Sequence, residues 1–182
     1  MEEVIRAIAH ALHSTKTQYV VIGGIAASIW GRPRMTLDVD IVVVLLPEEL
    51  SHFLESLAQS GFQVSPSAMR KLLRALPTKV RYGKRLSVDL RMASYTLDRQ
   101  ALERATPVRV LGTSLRIASK EDIIAYKVAR FEDLDRADIK SIILRHRKKI
   151  DATYLVTACR QLAQETGDAR ISDNMDVVLS WL

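Results

Sequence analysis

A chain of 182 residues, 48% hydrophobic and 26% charged, can bury one substantial core and has the composition of an ordinary globular protein. A single cysteine, Cys159, excludes an intrachain disulfide, no apolar run approaches the ~20 residues that cross a bilayer, and the acidic Met1-Glu2-Glu3 is not expected to act as a secretory signal, so a cytoplasmic protein without membrane partners is expected. Twenty-seven Lys and Arg against 21 Asp and Glu leave a net charge of +6, an excess that favours polyanionic partners without naming one.

Val4, Ile5, Ile8, Ala9 and Leu12 recur at helical spacing, which predicts an amphipathic helix over 3–13. The β-branched run Tyr19-Val20-Val21-Ile22 reads as a buried strand stopped by Gly23-Gly24, and Ile25 to Trp30 as a helix ended by Gly31 and Pro33. Asp38 to Leu46 is the next strand, and its unbroken apolar character implies a central position. Pro47 opens a helix that runs to about Gln59 and is closed by Gly61.

A short strand at 62–64 and a helix over 67–76 precede two hairpins, 79–82 with 86–92 around Gly83-Lys84, and 108–111 with 115–117 around Gly112. A short helix over 97–104 separates them. Ser119 has the form of an N-cap followed by acids in the first turn, and beyond it the chain reads as helices over 120–131, 135–148, 151–165 and 173–181. The expected fold class is α/β, a mixed sheet flanked by helices, with a core over 1–118 and a C-terminal helical extension over 119–182 packed on it.

The chemistry concentrates at Asp38 and Asp40. Residues i and i+2 of a strand share a face, so the two carboxylates stand side by side while Val39 and Ile41 point the other way. Like charges held that close repel unless a cation lies between them, and all-oxygen ligands suit a hard ion such as Mg²⁺ together with substrate phosphates. Asp89, inside the apolar strand Ser87-Val88-Asp89-Leu90, is a third acid; the alternative for it is an edge-strand ion pair with Arg91 or Arg85.

Gly23, Gly24, Asp38-Val39-Asp40-Ile41 and the later Asp89 together resemble the polymerase-beta-type nucleotidyltransferase superfamily, and with Arg34 and Thr36 they are more specifically similar to its AbiEii-like branch. The stretch from Ile117 through Lys127 to Asp135 and Asp138 resembles the second half of that branch. Gly24 stands where many superfamily members have serine, which removes a hydroxyl from the turn.

The resemblance implies an enzyme that moves a nucleoside monophosphate from an NTP to a hydroxyl. Asp38, Asp40 and Asp89 would be the metal ligands, Mg²⁺ or Mn²⁺ the cofactor, and Gly23, Gly24, Arg34, Lys127 and Asp138 the nucleotide site. Lys127 would also be catalytic through a phosphate contact. On spacing alone Lys127 reads as snorkelling to solvent, Asp135 and Asp138 could pair with Arg136 or Lys140 on a helix surface, and Arg32 and Arg34 could simply solvate a loop.

Arg70, Lys71, Arg74, Lys79, Arg81, Lys84, Arg85 and Arg91 fall in one stretch with Asp89 as its single acid, which points to an RNA acceptor such as a tRNA 3′ end. The cluster Arg145-His146-Arg147-Lys148-Lys149 reads either as a second basic patch or as cations complementing a helix C-terminus. A protein or small-molecule hydroxyl is the alternative acceptor, and a catalytically silent nucleotide- or RNA-binding module the alternative function. The branch also implies a toxin role with a cognate antitoxin as partner. His10 and His13 lack the further ligands that a zinc site needs, and Trp30, Trp181 and Cys159 read as packing residues.

Overall fold

The computed structural model describes residues 1–182. The amphipathic start forms α1 (Glu2–Ser14), which buries Val4, Ile5, Ile8, Ala9, Ala11 and Leu12. Strand β1 (Gln18–Ile22) stops where Gly23 takes a φ of +61°, and α2 (Gly23–Trp30) leaves from that corner. After a loop without regular structure the chain enters β2 (Asp38–Val44). This strand ends at Val44 and not at Leu46, because Val44 pairs with Gln18, the first residue of β1, and the ladder has no further partner there.

Pro47–Glu49 forms a 3₁₀ turn, with the Glu49 carboxylate accepting the Leu46 N–H at 2.8 Å, before α3 (Leu50–Gln59) begins. Then follow β3 (Phe62–Gln63), α4 (Ala68–Leu73), β4 (Thr78–Tyr82), β5 (Leu86–Met92), α5 (Thr96–Arg104), β6 (Thr106–Val110) and β7 (Thr113–Ile117).

The remaining helices are α6 (Lys120–Arg130), α7 (Asp133–His146), α8 (Ala152–Thr166) and α9 (Arg170–Leu179). Ser119 caps α6 as its position predicts: its hydroxyl accepts the Asp122 N–H at 3.2 Å, and the Asp122 carboxylate accepts the Ser119 N–H at 3.1 Å. Helix α9 starts at Arg170, three residues before the predicted 173, because the Asp168 carboxylate accepts the Arg170 N–H at 3.1 Å.

The strands make one mixed sheet of seven in the order β3-β4-β5-β2-β1-β7-β6. Strand β2 is central, antiparallel to β1 and parallel to β5. The β6–β7 hairpin closes one side of the sheet, and the β4–β5 hairpin, with β3 antiparallel to β4 at the edge, closes the other. Buried hydrophobic residues form one cluster of 48 that runs from Val4 on α1 to Val178 on α9, so sheet and C-terminal helices share a continuous apolar interior. No helix is long and apolar enough to cross a membrane.

Candidate active site

Strand pairing arranges the charged residues in two rows across one face of the sheet. Asp40 lies opposite Asp89 on β5, and Asp89 opposite Lys79 on β4. In the next row Asp38 lies opposite Ser87, and Ser87 opposite Arg81. The alternate residues Val39, Ile41, Val80, Val88 and Leu90 are buried on the other face, which fixes the strands and therefore the direction of the acids. Asp89 is on an interior strand, not an edge, and pairs with neither Arg91 nor Arg85.

Its partner is Lys79, whose Nζ lies 3.2 Å from Asp89 Oδ2 and 3.3 Å from Asp38 Oδ1. The Ser87 hydroxyl donates to the same Asp38 oxygen. The two acids hold the Lys79 ammonium above its ordinary pKa, although desolvation works the other way.

Asp40 is the innermost acid. Burial pushes its carboxyl above the usual value, the Gly24 N–H donating at 3.4 Å opposes this, and the negative charges of Asp89 and Asp38 add to it. A Cβ at Gly23 would overlap the Asp40 carboxylate, so glycine is required there both for its φ and for the space. The three carboxylates thus form an all-oxygen, mutually repelling donor set suited to a hard divalent ion. They do not converge as a finished site, because no group of three His, Cys, Asp or Glu side chains lies close enough to hold a metal ion. The cation that Asp38 and Asp89 share is the ammonium of Lys79, and Asp40 has no ion-pair partner.

A cleft of about 700 Å³ opens over these residues, lined among others by Gly23, Gly24, Arg34, Lys127 and Arg130. Lys127 does not snorkel. It is 6% exposed, with Nζ 2.9 Å from Asp135 Oδ1 and 2.7 Å from Asp138 Oδ2. Arg34 reaches Asp138 through Nε at 3.1 Å and a terminal nitrogen at 3.0 Å. Burial alone would raise the Asp138 carboxyl, but the hydrogen bonds from Arg34 and Lys127 outweigh it and hold the group below its usual value. Asp135 and Asp138 therefore face inward, while Arg136 pairs with Asp133 and Lys140 sits over the Trp181 ring. An ammonium has three donors, so Lys127 keeps one beyond its two carboxylates.

Two parts of the basic pattern have other uses. Arg91 is not a free cation of the patch: it makes a bidentate pair with fully buried Asp98 at 2.5 and 2.7 Å, which also accepts the Tyr126 hydroxyl at 2.8 Å. Arg145 and His146 serve the C-terminus of α2 and not that of their own helix. Arg145 donates to the Gly31 carbonyl at 3.1 Å, and His146 Nε2 lies 2.8 Å from the Trp30 carbonyl. Arg70, Lys71, Arg74, Arg81, Lys84 and Arg85 are exposed and make no ion pair.

Sequence reasoning placed Lys79 in the basic stretch but missed its position among the acids. The signal was available: a hairpin that pairs Tyr82 with Leu86 must set Lys79 against Asp89. Tyr126, Arg130 and Glu132, which also line the cleft, carried no comparable signal.

Comparison with known proteins bears on the fold. An antigenic nucleotidyltransferase-like protein from Paracoccidioides brasiliensis matches at 21% identity and a TM-score of 0.53, covering 96% of this chain and 91% of that one. ANT(2″)-Ia in complex with adenylyl-2″-tobramycin matches at 15% identity and a TM-score of 0.55, covering 98% and 97%. The lincomycin-bound lincosamide antibiotic adenylyltransferase LnuA matches at 16% and 0.51, covering 77% and 94%. At these identities the likeness is one of fold. No curated protein matches the chain. Residues 1–181 match the family described as "Nucleotidyltransferase of unknown function (DUF6036)", and the chain belongs to that family.

Proposed function

We propose that the protein transfers a nucleoside monophosphate from an NTP to a hydroxyl of an anionic acceptor, RNA with a free 3′ end being the acceptor its charge favours. The observation that carries this reading is the row Asp40–Asp89–Lys79 with Asp38 beside it, at the corner where Gly23 opens α2. Asp38, Asp40 and Asp89 would hold divalent metal, Mg²⁺ or Mn²⁺, which when bound neutralises phosphate charge and lowers the pKa of the attacking hydroxyl.

The chain's own residues bind and orient. The N-terminus of α2 at the Gly23-Gly24 corner faces the triphosphate beside Asp40, which takes the Gly24 N–H, and Lys127 and Arg34, held in place by Asp138, present their remaining donors to it. The acceptor oxygen then forms a bond to the α-phosphorus as the bond to the bridging oxygen breaks and pyrophosphate leaves. The hydroxyl proton passes to solvent or to a neighbouring carboxylate. Positioning and charge neutralisation supply most of the acceleration in such displacements.

The acceptor follows from the rim. Arg81 stands on the same sheet face as the acids, Lys84 and Arg85 lie in the turn of its hairpin, and Arg70, Lys71 and Arg74 add exposed, unpaired charge on α4, a balance that repels a cationic acceptor and attracts a phosphodiester chain. The toxin role and antitoxin partner implied by the AbiEii-like resemblance are compatible with an RNA acceptor and belong to the same proposal.

The test is incubation with each labelled NTP, Mg²⁺ and an RNA pool. Label should appear on RNA, and Asp38→Ala and Asp40→Ala should each abolish it while leaving the thermal melt and circular dichroism unchanged. Near-wild-type turnover by either variant refutes the site. Label on protein or small molecules alone refutes the RNA acceptor. No metal-dependent nucleotide affinity by calorimetry would indicate a silent module.

A further inference from the structure

Lys79 has an unusual place for a lysine. Its backbone is locked, because its β4 neighbours Thr78 and Val80 are 1% and 0% exposed, yet its own side chain is 49% exposed. Only the four-carbon stem is free, and it lays the ammonium between Asp38 and Asp89, within 3.3 Å of both. Asp40, the third acid, makes no ion pair. The ammonium therefore stands where the proposed divalent ion would need to take its oxygens from Asp38 and Asp89.

We infer that Lys79 is an internal counter-cation of the acidic cluster, which a divalent ion displaces efficiently only when it arrives with a nucleotide. The inference rests on the metal–nucleotide chemistry proposed above and adds to it a coupling between the two ligands. A bare metal ion must break two ion pairs and leave a positive charge beside its own site. A triphosphate changes the balance, because the displaced ammonium can swing on its stem to the phosphate oxygens. Metal and nucleotide then raise each other's affinity, and by linkage they do so equally. The same device keeps Asp38 and Asp89 paired between turnovers.

The experiment is Mn²⁺ binding by electron paramagnetic resonance, with and without a non-hydrolysable NTP analogue, to the wild-type chain and to Lys79→Met, which keeps the apolar stem and removes the charge. Lys79→Met should bind Mn²⁺ alone about tenfold more tightly, equivalent to about 1.4 kcal/mol. The enhancement of Mn²⁺ affinity by nucleotide should shrink by at least the same factor. Lys79→Arg, which keeps the charge, should behave like the wild type, and Lys79→Gln provides a second neutral variant should the methionine chain melt early. Unchanged or weaker Mn²⁺ binding by both neutral variants overturns the inference. If the wild-type chain binds nucleotide with Mn²⁺ but the neutral variants do not tighten, only the role of Lys79 falls. If no variant binds Mn²⁺ under any condition, the metal chemistry proposed for the site falls with it.

Discussion

Gly23→Ala is the sharpest probe of the corner that joins fold to site. A Cβ at this position would overlap the Asp40 carboxylate and come within 2.5 Å of Asp40 Cγ and 2.8 Å of Asp40 Cβ. Rotation of the Asp40 side chain clears the carboxylate but not its Cβ, which is fixed by pairing of Asp40 with Ile22 on one side and Asp89 on the other. The turn or the strand must therefore shift. A φ of +61° costs an alanine about 1–2 kcal/mol, and overpacking of a fixed backbone adds about 1–3 kcal/mol. The expected loss of stability is about 2–5 kcal/mol, measured by urea denaturation. Transfer should fall by about 100-fold or more, because misplacing a reacting group by about 1 Å has that effect.

A double-mutant cycle with Asp40→Ala separates strain from clash. Removing the carboxylate eliminates Cγ and both oxygens and leaves only the 2.8 Å approach to the Asp40 Cβ, so Gly23→Ala should cost less in this background than in the wild type. Equal costs in both backgrounds, or a Gly23→Ala chain with wild-type stability and rate, would refute the account.

Asp98→Asn should destabilise the fold by about 3 kcal/mol at neutral pH, because it leaves the Arg91 guanidinium without its buried partner. Burial works to raise the Asp98 carboxyl, but Arg91 and the Ser94 and Tyr95 N–H groups hold it below its ordinary 3.8. Its stabilising contribution is therefore complete above that value and lost as pH falls through the lower folded value, so the gap between wild type and variant should narrow only below about pH 4. A gap that closes between pH 7 and 5 contradicts this. Lys127→Met leaves Asp135 and Asp138 buried without their shared cation and should cost about 3 kcal/mol by urea denaturation, which a solvent-facing lysine would not. RNA binding should weaken steeply between about 50 and 200 mM salt, and Arg81→Ala or Arg85→Ala should each reduce the slope of log K against log salt by about 0.7. Salt-independent binding would remove the phosphate-contact argument.

What could be read from the sequence was local. The two-residue strand period put Asp38 and Asp40 on one face, a glycine after four β-branched or aromatic residues marked the corner, and Ser119 with Asp122 announced a helix start. Partner choice was legible only where a hairpin fixes register, as it does for Lys79 and Asp89. It was illegible across long separations. Arg34 and Asp138 are 104 residues apart, and nothing in their neighbours says that they meet. Arg91 and Lys79 look equivalent in a list of cations, yet one has a fully buried carboxylate within reach from α5 and the other faces acids across a ladder. A run of like charges reports a stretch of chain, whereas ion pairing depends on what the fold brings against it.

The loop between α2 and β2 makes the same point about where the site ends. It has no ladder or helix of its own, yet it must deliver Asp38 to its place. Helix α7 holds its first half: Asp138 binds Arg34, the Ser141 hydroxyl accepts the Arg32 N–H at 3.2 Å, and Arg145 and His146 take the last carbonyls of α2. A Cβ at Gly31 would overlap that Ser141 hydroxyl, so the contact is as close as a backbone permits. Asp138 is shared between this clamp and Lys127, which also lines the cleft. A shift of α7 would therefore move the approach to the acids and Lys127 together. The C-terminal helices thus help to define the geometry of the acids, although every one of those acids lies in the first half of the chain.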